Sequence, residues 1–356
     1  MTEPENTQGQ KNAFYVSLPT NGVPKKVESD DISEIVSLLT QDAFEWMDFS
    51  VENIREDSLF IADSLKFSLQ LIASVLSSQN SAYEDLDTEL GLMVPAVRVE
   101  KFDVKIYPLL ILIRKNLIVT IHPKNVVRLQ KIYRYADIFI KKMRSDLPWN
   151  DKLTLLLTRI IDENNEKNFN GLRVIEEEGD ELGKYMVDIK APRMKIGDDI
   201  YQMKHALITY LNTLWASWDV INSLRYGDAE IITDNPKFLQ RIGILGDDIN
   251  RQIALSEHMS EVLASGLEVL QTIYNNQLQM LNNRLAFLAT WLAVLATAVM
   301  VPNTIATVFG IAKINDLLSW EYMMLILIGS TVFSAYIMYY VMKHKGWMPP
   351  KIDQVE

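Results

Sequence analysis

The sequence predicts an α+β cytoplasmic domain, followed by a long stalk helix and two transmembrane helices. Short β-rich runs alternate with a helical stretch in the first third of the chain. Helical periodicity without strand signals fills the middle, and two long apolar runs lie near the end. These three observations together indicate a membrane protein with a large soluble part.

The two apolar runs extend from Leu285 to Ala312 and from Tyr322 to Met342, and neither contains a charged residue. Each is long enough for the roughly 20 residues, at about 1.5 Å rise, that cross a bilayer core of about 30 Å. We therefore predict transmembrane helices at 285–312 and 322–342, joined by an outer loop at 313–321. A C-terminal tail at 343–356 follows.

The charges beside the two runs predict their orientation. Arg284 precedes the first run, Lys343 and Lys345 follow the second, and the loop 313–321 carries a net charge of −1. Since basic residues favour the cytoplasmic side, both termini are expected in the cytoplasm and the chain in the cell membrane. The polar N-terminus does not have the pattern of a signal peptide, which agrees with a cytoplasmic soluble part.

The composition excludes several classes of function. The whole net charge of −11 lies before Leu285, because the four basic and four acidic residues from there onward cancel. Such an acidic part does not attract nucleic acid, but it either concentrates cations or simply keeps the domain soluble. The absence of cysteine excludes disulfides, thiolate zinc sites and thiol nucleophiles.

The soluble part is predicted to have two regions after a disordered segment at 1–12. Residues 13–125 form an α/β domain with a largely antiparallel sheet, in which Ser58 to Leu76 is one helical stretch. Predicted strands are Phe14–Leu18, Phe44–Phe49, Leu90–Val99, Val104–Ile113 and Leu117–Ile121. Residues 126–235 are helical, with long segments at Asp151–Gly183 and Asp198–Arg225 and a link between Met186 and Gly197.

Pro236 is placed to begin a stalk helix at 236–284, capped by Asp234 or Asn235. If this helix continues into the first span, its 77 residues reach about 115 Å. An apolar stripe at steps of three and four residues runs along it, and a single stalk with such a stripe implies bundled copies. We predict that four stripe residues are buried between helices: Leu263, Leu267, Leu270 and Leu278.

Signals of an enzyme are lacking in the sequence. It contains no P-loop, HExxH, GxSxG or GxGxxG pattern, and its four histidines are scattered. His122 closes an apolar strand and is expected at the strand end or in the core rather than as a ligand. Carboxylate runs such as Glu176–Glu178 and Asp247-Asp248 are typical of solvated helix faces. We therefore expect no catalytic residues and no enzyme activity.

One face of the first span is suited to line a pore. Its members are small or moderately apolar at first and polar further along: Ala289, Leu292, Ala296, Met300, Asn303, Thr307 and Gly310. The alanines are equally consistent with a seam for helix packing. Asn303 and Thr307 favour a pore, because an amide in a bilayer needs a partner or water.

These residues resemble the CorA superfamily of divalent-cation transporters and channels, which includes the ZntB branch. Its members have an α/β head, a long stalk helix entering the first span, a Tyr-Gly-Met-Asn signature, a short acidic outer loop and a second span ending in lysines. Here the corresponding stretches are Met300–Ala312 and Lys343–Trp347. Trp46-Met47-Asp48, Lys115–His122 and the acidic helical segment Asp151–Leu182 are also similar to the family.

The chain departs from the family at the signature, where it has Phe309-Gly310-Ile311-Ala312. In the family the asparagine amides are thought to hold a hydrated cation, which the methyl group of Ala312 cannot do. Mg²⁺ dehydrates reluctantly and favours oxygen acceptors, so relaxed or altered selectivity is expected. Asn303 and Thr307 are candidates for replacement rings of oxygen atoms.

The resemblance implies a funnel-shaped homopentamer in the lipid bilayer that passes divalent cations such as Mg²⁺, Zn²⁺ or Co²⁺ passively. It also implies regulation by cytoplasmic metal, for which Asp247 and Asp248 are candidate ligands, and no other cofactor. Asp316 and Glu321 in the outer loop would attract cations. Two alternatives stay open: a non-conducting metal sensor or scaffold, and a weakly selective cation channel.

Overall fold

The structure, a computed structural model, describes residues 12–19, 23–40, 43–126, 128–143, 147–187, 193–226, 229–311 and 319–345. The predicted disordered segment, most of the outer loop and most of the C-terminal tail lie outside these residues. The chain divides into two compact units, Met1–Leu267 and Glu268–Glu356. The division falls inside the longest helix, which contributes a segment to each unit.

The first unit is built on a seven-stranded sheet in the order β2-β1-β3-β7-β6-β5-β4. The strands are β1 (Ala13–Pro19), β2 (Lys25–Ser29), β3 (Ala43–Val51), β4 (Ala82–Asp85), β5 (Glu89–Glu100), β6 (Asp103–Arg114) and β7 (Leu117–Pro123). β3 and β7 pair in parallel, and the other neighbours pair antiparallel. The predicted α+β class with a largely antiparallel sheet is confirmed.

Three short helices cover one face of the sheet: α1 (Ile32–Ser37), α2 (Ile54–Ser64) and α3 (Leu69–Ser77). The prediction of one helix from Ser58 to Leu76 is wrong, because the chain turns between α2 and α3. Lys66 adopts a φ of 62°. The N–H of Phe67 bonds the Ala62 carbonyl at 2.8 Å, and that of Lys66 bonds the Asp63 carbonyl at 2.9 Å. This pair of bonds is a Schellman motif, which ends α2 without glycine or proline.

The other face carries α4 (Gln130–Lys142), α5 (Trp149–Val187) and α6 (Arg193–Tyr226). Tyr133 of α4 stacks on Phe14 of β1 with ring centroids 4.5 Å apart. Asn168 of α5 accepts a hydrogen bond from the Val97 N–H of β5 at 2.9 Å. The predicted link from Met186 to Gly197 is corrected, since both of its ends are helical.

The longest helix, α7, extends over Pro236–Phe309. Its first turn is capped by the Asn235 side chain, which accepts from the Lys237 N–H at 3.1 Å. The N–H of Thr233 also donates to Thr154 Oγ1 of α5 at 3.1 Å, so the start of α7 is tied to the first unit. The buried residues of its first segment follow helical steps: Ile242, Leu245, Ile249, Ile253, Met259 and Leu263.

The second unit contains the rest of α7 and a further helix, α8 (Trp320–His344). Both helices are long and apolar enough to cross a membrane. α7 ends three residues before the predicted end of the first span, and α8 extends two residues beyond the second span at each end.

The predicted stalk leucines differ in burial within one chain. Leu263 is 8% exposed, whereas Leu267 and Leu278 are 38% and 50% exposed. Leu270 lies between these extremes. Burial of the exposed leucines between helices of different chains stays a prediction.

Candidate ion pathway

The candidate pathway is a stripe along the apolar part of α7, which we call the α7 stripe. It consists of the seven predicted lining residues: Ala289, Leu292, Ala296, Met300, Asn303, Thr307 and Gly310. At 3.6 residues per turn these positions fall within about 80° of the helix circumference. All seven are exposed in the chain, and even the large side chains of Leu292 and Met300 are 66% and 67% exposed.

Helix α8 lies on the side of α7 away from the stripe. Ser334 of α8 donates a hydrogen bond to the carbonyl oxygen of Ala298 at 3.2 Å. Ser334 and Met342 are buried, and so is Pro302. Ala298 and Pro302 lie about 160° and 120° from the centre of the α7 stripe by helical geometry. The hairpin therefore leaves the stripe uncovered.

The C-terminal part of the α7 stripe carries its oxygen acceptors. Thr307 Oγ1 donates to the backbone carbonyl of Asn303 at 2.8 Å, so its lone pairs are turned away from the helix backbone. Asn303 lies one turn before it and carries an amide oxygen. The two side chains thus present two successive levels of acceptors, while the N-terminal part of the stripe offers methyl, isobutyl and thioether groups.

The C-terminal end of α7 is closed by backbone hydrogen bonds at Gly310. The N–H of Gly310 lies 3.1 Å from the Ala306 carbonyl and 3.2 Å from the Thr307 carbonyl. A Cβ atom at Gly310 would approach the Thr307 carbonyl oxygen to 3.3 Å, so glycine fits this close approach. Phe309 is partly buried and Ile311 is exposed. Ala312, the position predicted to replace the family asparagine, lies outside the described residues.

The predicted acidic residues do not form a metal cluster within the described part of one chain. Glu321 is exposed in the first turn of α8, and Asp316 lies outside the described residues. Asp247 is exposed, and Asp248 is paired with Arg251 of the next helical turn. The two aspartates of a single chain therefore do not by themselves constitute a metal site.

A buried polar cluster in the first unit was not predicted. The Asp48 carboxylate of β3 accepts hydrogen bonds from Thr120 of β7 and from the Tyr133 hydroxyl of α4. His122 Nε2 lies 3.2 Å from Asp48 Oδ2, and Trp46 Nε1 donates to Thr120 Oγ1 at 3.1 Å. The cluster connects two strands and a helix, so its role is to hold the sheet together. The expectation that His122 is a core residue is confirmed.

The charges of this cluster follow from its geometry. His122 Nδ1 lies 3.0 Å from the Pro123 carbonyl oxygen, so both ring nitrogens face acceptors, and this arrangement suits the protonated ring. Burial alone lowers the pKa of His122, but the Asp48 carboxylate outweighs it, and the pKa is raised. Burial and then the same carboxylate raise the pKa of Tyr133 well above its ordinary value.

A sequence signal for the cluster did exist. Asp48 follows Trp46 by two residues on β3, and His122 follows Thr120 by two on β7. Alternate strand residues share a face, and the register of β3 with β7 places Asp48 opposite Thr120. The pairing of these distant strands was the missing information.

The sequence model of one family, described as CorA-like Mg2+ transporter protein, matches residues 41–344. Among curated proteins, no sequence matches this chain.

Several solved structures share the fold. The complete CorA magnesium transporter from Methanocaldococcus jannaschii matches with a TM-score of 0.67 at 17% identity, covering 94% of this chain and 98% of that one. The full-length CmaX protein gives a TM-score of 0.59 at 14% identity, covering 95% and 99%. The ZntB cytoplasmic domain from Vibrio parahaemolyticus RIMD 2210633 gives 0.55 at 14% identity, covering 74% and 98%.

The family match covers most of the sequence and includes both apolar helices. CorA-like transporters are membrane proteins, and they are transporters or channels rather than enzymes. The resemblance found in the sequence is confirmed at the level of the family, while the placement of its signature at residues 309–312 stays a prediction. The chain belongs to the family of CorA-like Mg²⁺ transporter proteins.

Proposed function

We propose that the protein is a homopentameric channel that passes divalent metal cations passively across the cell membrane, with both termini in the cytoplasm. The observation that carries this proposal is the exposed α7 stripe, which lies away from α8 and bears oxygen acceptors in its outer part. Five copies with this face turned inward enclose one pathway, and their α8 helices lie outside against lipid. The exposed stalk residues Leu267 and Leu278 support association of copies.

The side chains of the stripe suit a hydrated ion. Rings of Asn303 and Thr307 offer acceptors to the hydration shell, and the apolar inner levels at Met300 and Leu292 form a constriction. Since Mg²⁺ keeps most of its water, such rings bind it through that water and discriminate weakly between ions. We therefore propose that selectivity for Mg²⁺ is relaxed or altered, and that Zn²⁺ or Co²⁺ also pass.

Cation supply and gating are assigned to acidic residues. Asp316 and Glu321 raise the cation concentration at the outer mouth. Asp247 and Asp248 are candidate ligands for a cytoplasmic metal that closes the pore, in concert with carboxylates from a neighbouring chain. Because Asp248 is paired with Arg251, a metal there competes with that guanidinium group.

Ion flux into liposomes tests the proposal, with Mg²⁺, Zn²⁺, Co²⁺ and Na⁺ compared in the purified full-length protein. Asn303→Leu and Thr307→Val remove acceptors from the stripe and should lower the flux of every cation. Thr297→Val is the matched control, since Thr297 donates to its own helix at 2.8 Å, as Thr307 does, but lies off the stripe. If Asn303→Leu and Thr307→Val conduct as well as Thr297→Val and the unaltered protein, the stripe does not line the pathway.

A second experiment tests the placement of the signature. Ala312→Asn with Ile311→Met adds five amide oxygens around one opening and should raise the preference for Mg²⁺ over Na⁺. If Asn303→Leu lowers flux and this pair changes no selectivity, the pore stands and the placement is wrong. If the unaltered protein passes none of the four ions, the non-conducting sensor or scaffold is the better assignment.

A further inference from the structure

Pro302 removes one backbone donor from the middle of the apolar part of α7. In a helix the N–H of a residue bonds the carbonyl four residues earlier, so residue 302 would serve the carbonyl of Ala298. Proline has no N–H, and the carbonyl of Ala298 loses that partner. Inside a bilayer no water replaces it, and an unsatisfied carbonyl is costly there.

Ser334 of α8 supplies the missing donor. Its hydroxyl donates to the Ala298 carbonyl at 3.2 Å, and both Ser334 and Pro302 are buried. The other serine and threonine hydroxyls of the two described spans, 285–311 and 320–344, turn back to a carbonyl of their own helix. They belong to Thr290, Thr297, Thr304, Thr307, Ser330 and Thr331.

We propose that Ser334 is a positioning residue that holds α8 against α7 at the carbonyl freed by Pro302. The inference rests on the proposed function in one respect, because two residues proposed to line the pathway lie just after the proline. Asn303 follows Pro302 directly, and Thr307 lies one turn further along α7. A helix lacking one hydrogen bond bends most easily at that point. The hydrogen bond from Ser334 holds α7 against α8 at this bend. It therefore fixes the direction of the part of α7 after Pro302, which carries the oxygen acceptors.

Hydrogen–deuterium exchange of the full-length protein in lipid nanodiscs tests this role without depending on conduction. Ser334→Ala should raise the exchange rate of amides 303–309 about threefold. This factor corresponds to the free energy lost when an average interhelical hydrogen bond in a membrane is removed. Ser334→Thr keeps a hydroxyl and should exchange like the unaltered protein.

The decisive comparison uses Pro302→Ala, which restores an N–H to the Ala298 carbonyl. In that background Ser334→Ala should cause no increase, because the carbonyl is already satisfied. An equal increase in both backgrounds, or none in either, would overturn the proposal, since Ser334 would then act through packing alone or not at all.

Two further outcomes are also informative. If Ser334→Ala alone fails to assemble, assembly of the protein carrying both substitutions supports the proposed pairing, and failure of both contradicts it. Flux measured on the same samples separates the hypotheses: a non-conducting protein with the predicted exchange pattern refutes the channel and retains the Ser334 contact. In a conducting protein, Ser334→Ala should change the flux and Ser334→Thr should leave it unaltered.

Discussion

Replacing Asp48 by asparagine tests how far the first unit depends on one buried carboxylate. The Asp48 side chain is 3% exposed and accepts from Thr120, His122 and Tyr133. Asparagine keeps the shape but has one acceptor oxygen and an NH₂ group. The single amide oxygen cannot replace the two carboxylate oxygens that accept these three hydrogen bonds, and protonated His122 would lose its counter-charge.

The size of the effect follows from burial. Removing one partner of a buried ion pair costs about 3–5 kcal/mol, because the remaining charge stays away from water without compensation. We therefore expect Asp48→Asn to lower the free energy of unfolding of the first unit by about this amount. Asp103→Asn is the matched control, since Asp103 pairs with Lys105 at 3.0 Å on the surface, and we expect no measurable change.

Urea unfolding of the full-length protein in detergent measures the difference, and hydrogen exchange assigns it to β3 and β7. The expected result is earlier unfolding of Asp48→Asn with faster exchange in these two strands. If Asp48→Asn and Asp103→Asn unfold at the same urea concentration, the buried cluster does not stabilise the sheet and our reading of its geometry is wrong.

Three further predictions concern other levels of the structure. Because the pKa of His122 is raised on folding, its contribution to stability is complete below about pH 6.5 and is lost as the pH rises through the raised value, by at most about 1.4 kcal/mol per pH unit. Urea titrations of His122→Gln between pH 6 and 9 should lack this slope. Gly91→Ala should destabilise by about 1–3 kcal/mol, because its Cβ meets α3 at 2.7 Å, whereas Gly183→Ala, with nothing within 4 Å, should not destabilise. Leu267→Asp with Leu270→Asp should reduce the oligomer mass measured by light scattering, and a full-sized oligomer would contradict burial between chains.

The strands that bury large apolar side chains were predictable from the sequence, and those at the sheet edges were not. β5 and β6 are long and mostly apolar, which gave a clear signal. β2 has the sequence KKVES and β4 has AYED, and both lie at the ends of the strand order. An edge strand has one neighbour and less burial, so its composition is less constrained. The turn at Lys66 was missed because residues other than glycine rarely adopt a positive backbone φ.

The candidate pathway was predictable only as far as helical periodicity reaches. Spacing placed the predicted lining residues on one face of α7, since an uninterrupted helix has a fixed period. It did not show which face α8 covers, because this depends on how two uniformly apolar helices pack. Ser334 was missed for the same reason: one serine in an apolar helix has no local signal of a partner 36 residues away.

The residues that hold the fold differ from those proposed to set ion selectivity in this chain. Asp48, Thr120 and His122 belong to stretches that resemble the family, and all three are buried and bonded to one another. A change at any of them leaves a polar group unsatisfied in the core, which is costly whatever ion the protein conducts. Asn303 and Thr307 are exposed, so the fold of the chain constrains them little. The proposed lining can therefore differ from the family pattern while the fold is retained, and the proposed change in selectivity would require no compensating change in the first unit.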